Sequence, residues 1–198
     1  MASALLLKKH MLNRLKRLLF APLLAGLFAL PSAHALSISD LDSIPALTPE
    51  KLARSFADFK FVFHAEVQEA DVFLKTKSGD CDDFATVAAA ILSRHGYTPH
   101  LIAVRMKGEC HVVCYVDEVK GYLDYNYRSD AHPVIASGNS ITEIARKVAD
   151  SFGRDWIATY EFTFHDATKR LVNNILPNRF AKTDGKALLS SSAAAEHK

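Results

Sequence analysis

Gly79-Asp80-Cys81-Asp82-Asp83-Phe84-Ala85 places a cysteine at the first turn of a helix. Asp80 is a good N-cap with Asp83 three residues on, and Phe84, Val87, Ala88, Ile91 and Leu92 recur at helical spacing until Gly96 supplies a stop. A thiol at this point sits among backbone N–H groups with no helical acceptor. Those groups and the helix dipole favour a thiolate and can hold the oxyanion of an attacked carbonyl. The two flanking aspartates act against that preference.

Working outward, Thr48-Pro49-Glu50 opens an earlier helix whose Leu52, Ala53, Phe56 and Phe59 would face a core. After Gly96, residues 99–106 read as a strand, 107–109 as a turn and 110–116 as a second strand. A turn containing Gly121 leads into a strand over 122–127. Ser140 with Glu143 reads as a capping box for a helix to Phe152, closed by Gly153. Trp156, Ala158, Tyr160, Phe162 and Phe164 then alternate with polar or smaller residues, which predicts a strand whose aromatic row belongs to the core. The class is α+β.

The first 35 residues carry Lys8, Lys9, Arg14, Lys16 and Arg17 with no acid, followed by an apolar run over 18–30, Pro31 and Ala33-His34-Ala35. That order is a secretory signal peptide with cleavage expected after Ala35. The apolar run falls short of the roughly 20 residues that span a bilayer, so no stable membrane insertion is expected after cleavage. Met11, just before the basic segment, is an alternative start. Export would make the protein periplasmic or secreted. Loss of five positive charges changes the formal balance from +2 to −3, which removes electrostatic support for a nucleic-acid partner. The remaining residues, 36–198, suit one domain over 36–180, followed by a disordered tail from Ala181 rich in Ser, Ala and Lys.

A thiolate nucleophile needs a base, and the base needs an orienting group. On the strand over 110–116, His111, Val113 and Tyr115 share a face; on the next, Tyr122, Asp124 and Asn126 do. Pairing of these strands brings His111 and Asp124 together if the faces coincide. The imidazole would take the thiol proton while Asp124 fixes its tautomer. For Cys81 to join them, its helix is expected to pack across that same face. The Cys81 N–H would be one oxyanion donor, with Gln68 and the backbone of 76–79 as guesses for the second.

At these residues the chain resembles the transglutaminase-like superfamily, and within it the bacterial transglutaminase-like cysteine peptidases of papain-like fold. The resemblance rests on Gly79 to Ala85, on His111-Val112-Val113 opening a strand and on Leu123-Asp124 in the strand after it, and covers about 79–127. It implies a nucleophile helix packed on a small antiparallel sheet, with Cys81 as nucleophile, His111 as base and Asp124 as orienter. It further implies hydrolysis of an amide or peptide bond in a protein or peptide substrate, through an acyl-thioester. The same triad serves acyl transfer to an amine, and silent relatives keep the fold as binding modules. No cofactor is required. Some calcium-dependent relatives carry acids on both sides of the cysteine, and Asp80 and Asp82 match those places; the competing reading makes Asp80 a helix cap and leaves Asp82 and Asp83 solvated or hydrogen-bonded.

Each residue also has a plainer reading: an inert core cysteine, a core histidine, a strand-end aspartate. Their order along the chain and the helix start favour the chemical one. Cys110 and Cys114 would stand about 13 Å apart on one strand, beyond a disulfide's reach, and on the face opposite His111, so three free thiols are expected. A zinc site of Cys81, Cys110, His111 and Cys114 lacks the usual Cys-x-x-Cys pairs. His64, His95, His100, His132 and His165 have no acid at informative spacing and are read as surface or core. Residues 125–128 either rim the cleft or cover the sheet edge.

Overall fold

The computed structural model describes residues 35–127, 131–165 and 168–178. The expectations for residues 1–34, Arg128 and the tail from Ala181 lie outside them. The elements run α1 (Ile38–Asp42), α2 (Pro49–Arg54), β1 (Lys60–Phe61), α3 (Ala70–Thr76), β2 (Ser78–Gly79), α4 (Cys81–Arg94), β3 (Pro99–Met106), β4 (Glu109–Val116), β5 (Gly121–Leu123), β6 (Ile135–Ala136), α5 (Ile141–Ser151), β7 (Trp156–His165), β8 (Thr168–Leu171) and β9 (Leu176–Pro177). The main sheet is antiparallel, in the order β6-β5-β4-β3-β7-β8, with β9 also on β7. β1 and β2 form a separate parallel pair. No helix among the described residues is long and apolar enough to cross a membrane.

Alternation along β3 and β4 gives the sheet two apolar faces. Leu101, Ala103, Val112, Cys114 and Val116 pack with Phe84, Val87, Ala88 and Ile91 of α4. Ile102, Val104, Val113 and Tyr115 pack with Ile144, Ala145 and Val148 of α5. The sheet is therefore a central layer with α4 on one side and α5 on the other. Trp156 joins the α5 side although Phe162 lies on the α4 side, because a register shift at Arg105/Met106 lets Trp156 pair with Met106 and Ala158 with Arg105. The extra residue of such a bulge reverses side-chain parity.

Local signals account for most element boundaries. Thr48 Oγ1 accepts from Lys51 N at 3.3 Å, capping α2. That helix ends at Arg54, earlier than its apolar spacing suggests, yet Phe56 and Phe59 are still buried beyond it. The Ser140–Glu143 capping box does not form: Ser140 Oγ meets Thr142 Oγ1, and Glu143 Oε1 accepts instead from Gly138 N. The strand expected over 122–127 stops at Leu123. Asp124 Oδ1 accepts from Asn126 N at 2.9 Å and Tyr127 N at 3.3 Å, and this Asx-type turn competes with the ladder.

An aromatic cluster fixes where α4 begins. Phe84 meets Phe56 edge-on, with ring centroids 5.1 Å apart, and Phe56 stacks on Phe73. All three rings are fully buried, each contributing about 1.5–3 kcal/mol by its burial. Gly79 lies against this cluster: a Cβ there would stand 2.5 Å from Asp83 Oδ2 and 2.6 Å from the Phe73 ring. Only glycine lets the chain pass so close before the helix turns.

Candidate active site

Cys81 is the first residue of α4 and is partly exposed. The cap is reciprocal: Asp82 N donates to Asp80 Oδ1 at 3.3 Å, and Asp80 N to Asp83 Oδ2 at 3.0 Å. Asp80 Oδ2 also accepts from His64 N at 2.9 Å. Asp83 takes Gln68 N at 2.6 Å and Gln68 Nε2 at 2.7 Å. The start of the helix is thus tied to the 64–68 segment by two buried carboxylates. At the first helical position the Cys81 N–H has no intrahelical acceptor.

His111 and Asp124 are brought together as their strand parity predicts. Cys114 pairs with Leu123, which sets Asp124 diagonal to His111 on the face that holds Tyr122, Val113 and Tyr115. His111 Nε2 donates to Asp124 Oδ1 at 3.0 Å, both side chains being almost wholly buried. The Phe152 ring closes over the imidazole from α5, with centroids 4.9 Å apart. Burial pulls the His111 pKa down, but the Asp124 charge and hydrogen bond, followed by a hydrogen bond with Cys81, outweigh it and raise the value from 6.5 to about 10. With Nε2 taken by Asp124, Nδ1 is the nitrogen left to face the thiol. Asp124 Oδ2 is buried without a partner among the described residues.

One expectation is overturned. The body of α4 packs on the Val112–Cys114–Val116 face, opposite His111, and the helix on the His111 face is α5. The imidazole still meets Cys81 because β5 pairs only with Cys114–Val116. Among the described residues no strand pairs with β4 beside His111 on that side, and the hydrogen bond of His111 with Cys81 brings the start of α4 there.

Gln68 is engaged elsewhere, its amide donating to Ser78 O at 3.1 Å and to Asp83 Oδ2, so it supports the helix cap instead of the oxyanion. All three cysteines are free. Cys114 is fully buried, and burial pushes its thiol up to about 12, which makes it inert. Cys110 and Cys114 lie on the α4 face and His111 on the other, so the four residues of the zinc reading are divided between the two faces.

Asp80, Asp82 and Asp83 bring carboxylate oxygens within 4.8 Å of one another. Asp82 is the strained member: burial first, then the hydrogen bond and charge of Asp80 and the charge of Asp83, lift its carboxyl to about 7, with Lys169 partly offsetting. Its Oδ1 is buried without a partner among the described residues. That separation can be spanned by oxygens at 2.3–2.6 Å from one calcium ion, while the oxygens of Asp80 and Asp83 already accept N–H groups. Lys169 rests over the Phe162 ring at 3.9 Å and contacts Tyr160 Oη at 3.3 Å.

The segment over 60–64 escaped the sequence reading. Lys60 N donates to Lys77 O and Val62 N to Gly79 O, so this segment runs beside the residues that lead into Cys81. The signal was present as Phe61-Val62-Phe63, three strand-forming residues in a row.

A helix-start cysteine on one layer of an α+β sandwich, meeting a histidine–aspartate pair across an open sheet edge, is the arrangement of a transglutaminase-like domain. Residues 46–140 match the family model described as a transglutaminase-like domain, a span that includes Cys81, His111 and Asp124. The chain carries a transglutaminase-like domain over these residues, which supports the transglutaminase-like superfamily and suggests a cysteine hydrolase or transferase. No curated protein matches the chain.

Proposed function

We propose that the protein is an exported cysteine hydrolase that cleaves an amide or peptide bond through an acyl-thioester. The observation that carries this reading is the buried His111–Asp124 pair meeting the Cys81 thiol. A buried ion pair whose carboxylate has an oxygen without a partner among the described residues is a poor source of stability, which favours a chemical role.

In this mechanism Cys81 Sγ attacks the carbonyl carbon as a thiolate, its proton already on His111 Nδ1, since the raised pKa of His111 keeps the imidazole protonated at neutral pH. Asp124 holds Nε2–H and stabilises the imidazolium. The oxyanion takes the Cys81 N–H and the positive end of α4. The C–N bond breaks as His111 returns the proton to the leaving amine, leaving the acyl group on Cys81. Water, deprotonated by His111, then attacks the thioester and releases acid and thiol.

Acyl transfer would use the same residues with an amine in place of water, and a binding module would keep the fold without turnover. An electrophilic amide probe that labels Cys81 in preference to Cys110 separates enzyme from binder. Product analysis with and without added amine separates hydrolysis from transfer. Calcium held by Asp80, Asp82 and Asp83 would neutralise the carboxylates around the nucleophile without taking part in the chemistry. Export follows from the basic, apolar and small-residue order of residues 1–35. N-terminal sequencing of protein from a cell envelope fraction is expected to begin at Leu36, and an intact 1–35 segment would refute cleavage.

A further inference from the structure

Tyr125 and Tyr127 follow Asp124 and anchor its turn to opposite layers. Tyr125 is fully buried, its ring against Phe73 and Phe84 on the α4 side. Tyr127 is 39% exposed and turns to the α5 side, where its ring meets Phe152 edge-on with centroids 5.1 Å apart. Burial alone does not account for a tyrosine there, whereas its polar contacts do. Its N–H donates to Asp124 Oδ1 at 3.3 Å, the oxygen that also holds His111 Nε2. Its hydroxyl donates to Ser151 O, one of the carbonyls that the last turn of α5 leaves without a helical partner. Phe152 is the next residue, and its ring lies 4.9 Å from the imidazole. One residue thus joins the carboxylate that orients His111 to the ring that covers it.

We propose that Tyr127 is a positioning residue: its hydroxyl pins the end of α5 to the Asp124 turn, so that Phe152 holds the His111 ring in the orientation that offers Nδ1 to Cys81. The second side-chain torsion of a histidine has broad wells, so the imidazole owes its orientation to its neighbours. Asp124 fixes one nitrogen, but it lies one residue past the end of β5, where the strand ladder no longer holds it. Two tethers replace the ladder, Tyr125 Oη on Lys60 O and Tyr127 Oη on Ser151 O. The body of α5 is held to the sheet through Ile144, Ala145 and Val148, upstream of Phe152. Without the Tyr127 tether its last turn frays more readily, and water replaces Phe152 over the imidazole. The inference rests on the hydrolase reading above and adds to it a residue that acts through His111 and not on the substrate.

The proton on His111 Nε2 reports positioning without turnover. In full-length protein carrying isotope-labelled histidine, its NMR signal, assigned by its absence from His111→Gln, is expected to exchange slowly with water. Tyr127→Ala should speed that exchange about tenfold, while the backbone amides of β3 keep their rates. Iodoacetamide labelling of Cys81, read by peptide mass apart from Cys110, should slow about tenfold in the same variant, because a misplaced base costs at least that much. Tyr127→Phe keeps the ring against Phe152 and loses the hydroxyl, so about threefold is expected in each rate. Wild-type rates in both variants overturn the proposal, and a lower melting temperature beside them leaves Tyr127 a cap of α5 alone. Equal acceleration of the β3 amides also overturns it, since the fold as a whole has then loosened. So does slower labelling with unchanged Nε2–H exchange, which would mean a shielded thiol beside a correctly held imidazole. Should Tyr127→Ala lose its circular dichroism spectrum, Tyr127→Phe decides. Both effects in a protein whose wild-type form cleaves no peptide would sustain the positioning role and sink the hydrolase.

Discussion

Phe84, three residues past Cys81, and Tyr125, the residue after Asp124, meet with ring centroids 5.4 Å apart and planes tilted by 34°. Both are fully buried, and Tyr125 Oη donates to Lys60 O at 2.9 Å. One aromatic contact therefore links the start of α4, the Asp124 turn and the β1 edge. Spacing between Cys81 and Asp124 is set by packing, since no covalent path shorter than 43 residues joins them.

Phe84→Ala should remove that spacer. Truncating a fully buried phenylalanine costs about 3–5 kcal/mol, read as a lower midpoint in urea unfolding. Residual folded Phe84→Ala protein should label more slowly at Cys81 with an electrophilic amide. A labelling rate equal to wild type would show that the triad does not depend on this contact.

Cys81→Ala and His111→Ala are expected to abolish turnover. Asp124→Asn should retain a trace, lower by roughly 10⁴, because the imidazole is left in the wrong tautomer and not removed. Unchanged hydrolysis by Cys81→Ser would sink the mechanism.

The His111 pKa gives stability a direction with pH. Its folded value, about 10, lies above the 6.5 of the unfolded chain. Stability from protonating it is complete below about pH 6.5 and is lost as pH rises through 10. His100 is also raised: burial lowers it, but its contacts with Glu161 and Asp117 outweigh that, so it adds a loss of the same sign. Melting temperature should fall between pH 7 and 10.5, and Asp124→Asn should flatten the His111 part while leaving that of His100. Parallel curves for wild type and Asp124→Asn would exclude the charged pair.

Calcium should raise the melting temperature without being needed for turnover. Asp82, lifted to about 7 by burial and its acidic neighbours, gains most from a cation. EGTA should reverse the rise, and Asp82→Asn should remove sensitivity to both while relieving the repulsion. A wild-type melting curve indifferent to calcium and EGTA would leave the three aspartates as helix-cap and hydrogen-bonding groups.

Residues close in sequence determined much of this molecule by themselves. The Asp80–Asp83 cap, the stop at Gly96 and the alternation of β3, β4 and β7 depend on contacts a few residues long, and periods of 3.6 and 2 are written in the order of side chains. The same alternation put His111 and Asp124 on one face, because hairpin pairing preserves parity. Sequence spacing carried no record of which layer α4 would occupy. Both sheet faces are apolar, and the choice lay in volume: Phe56, Phe73, Phe84 and Tyr125 form one cluster only if α4 lies opposite α5. The end of β5 at Leu123 was equally out of reach, since a strand-like Tyr125-Asn126-Tyr127 yields to the three hydrogen bonds gathered by Asp124 Oδ1. That early end opens the sheet edge through which Cys81 meets His111; two of those bonds are local, and the third, from His111 thirteen residues away, is the part that only the tertiary structure decided.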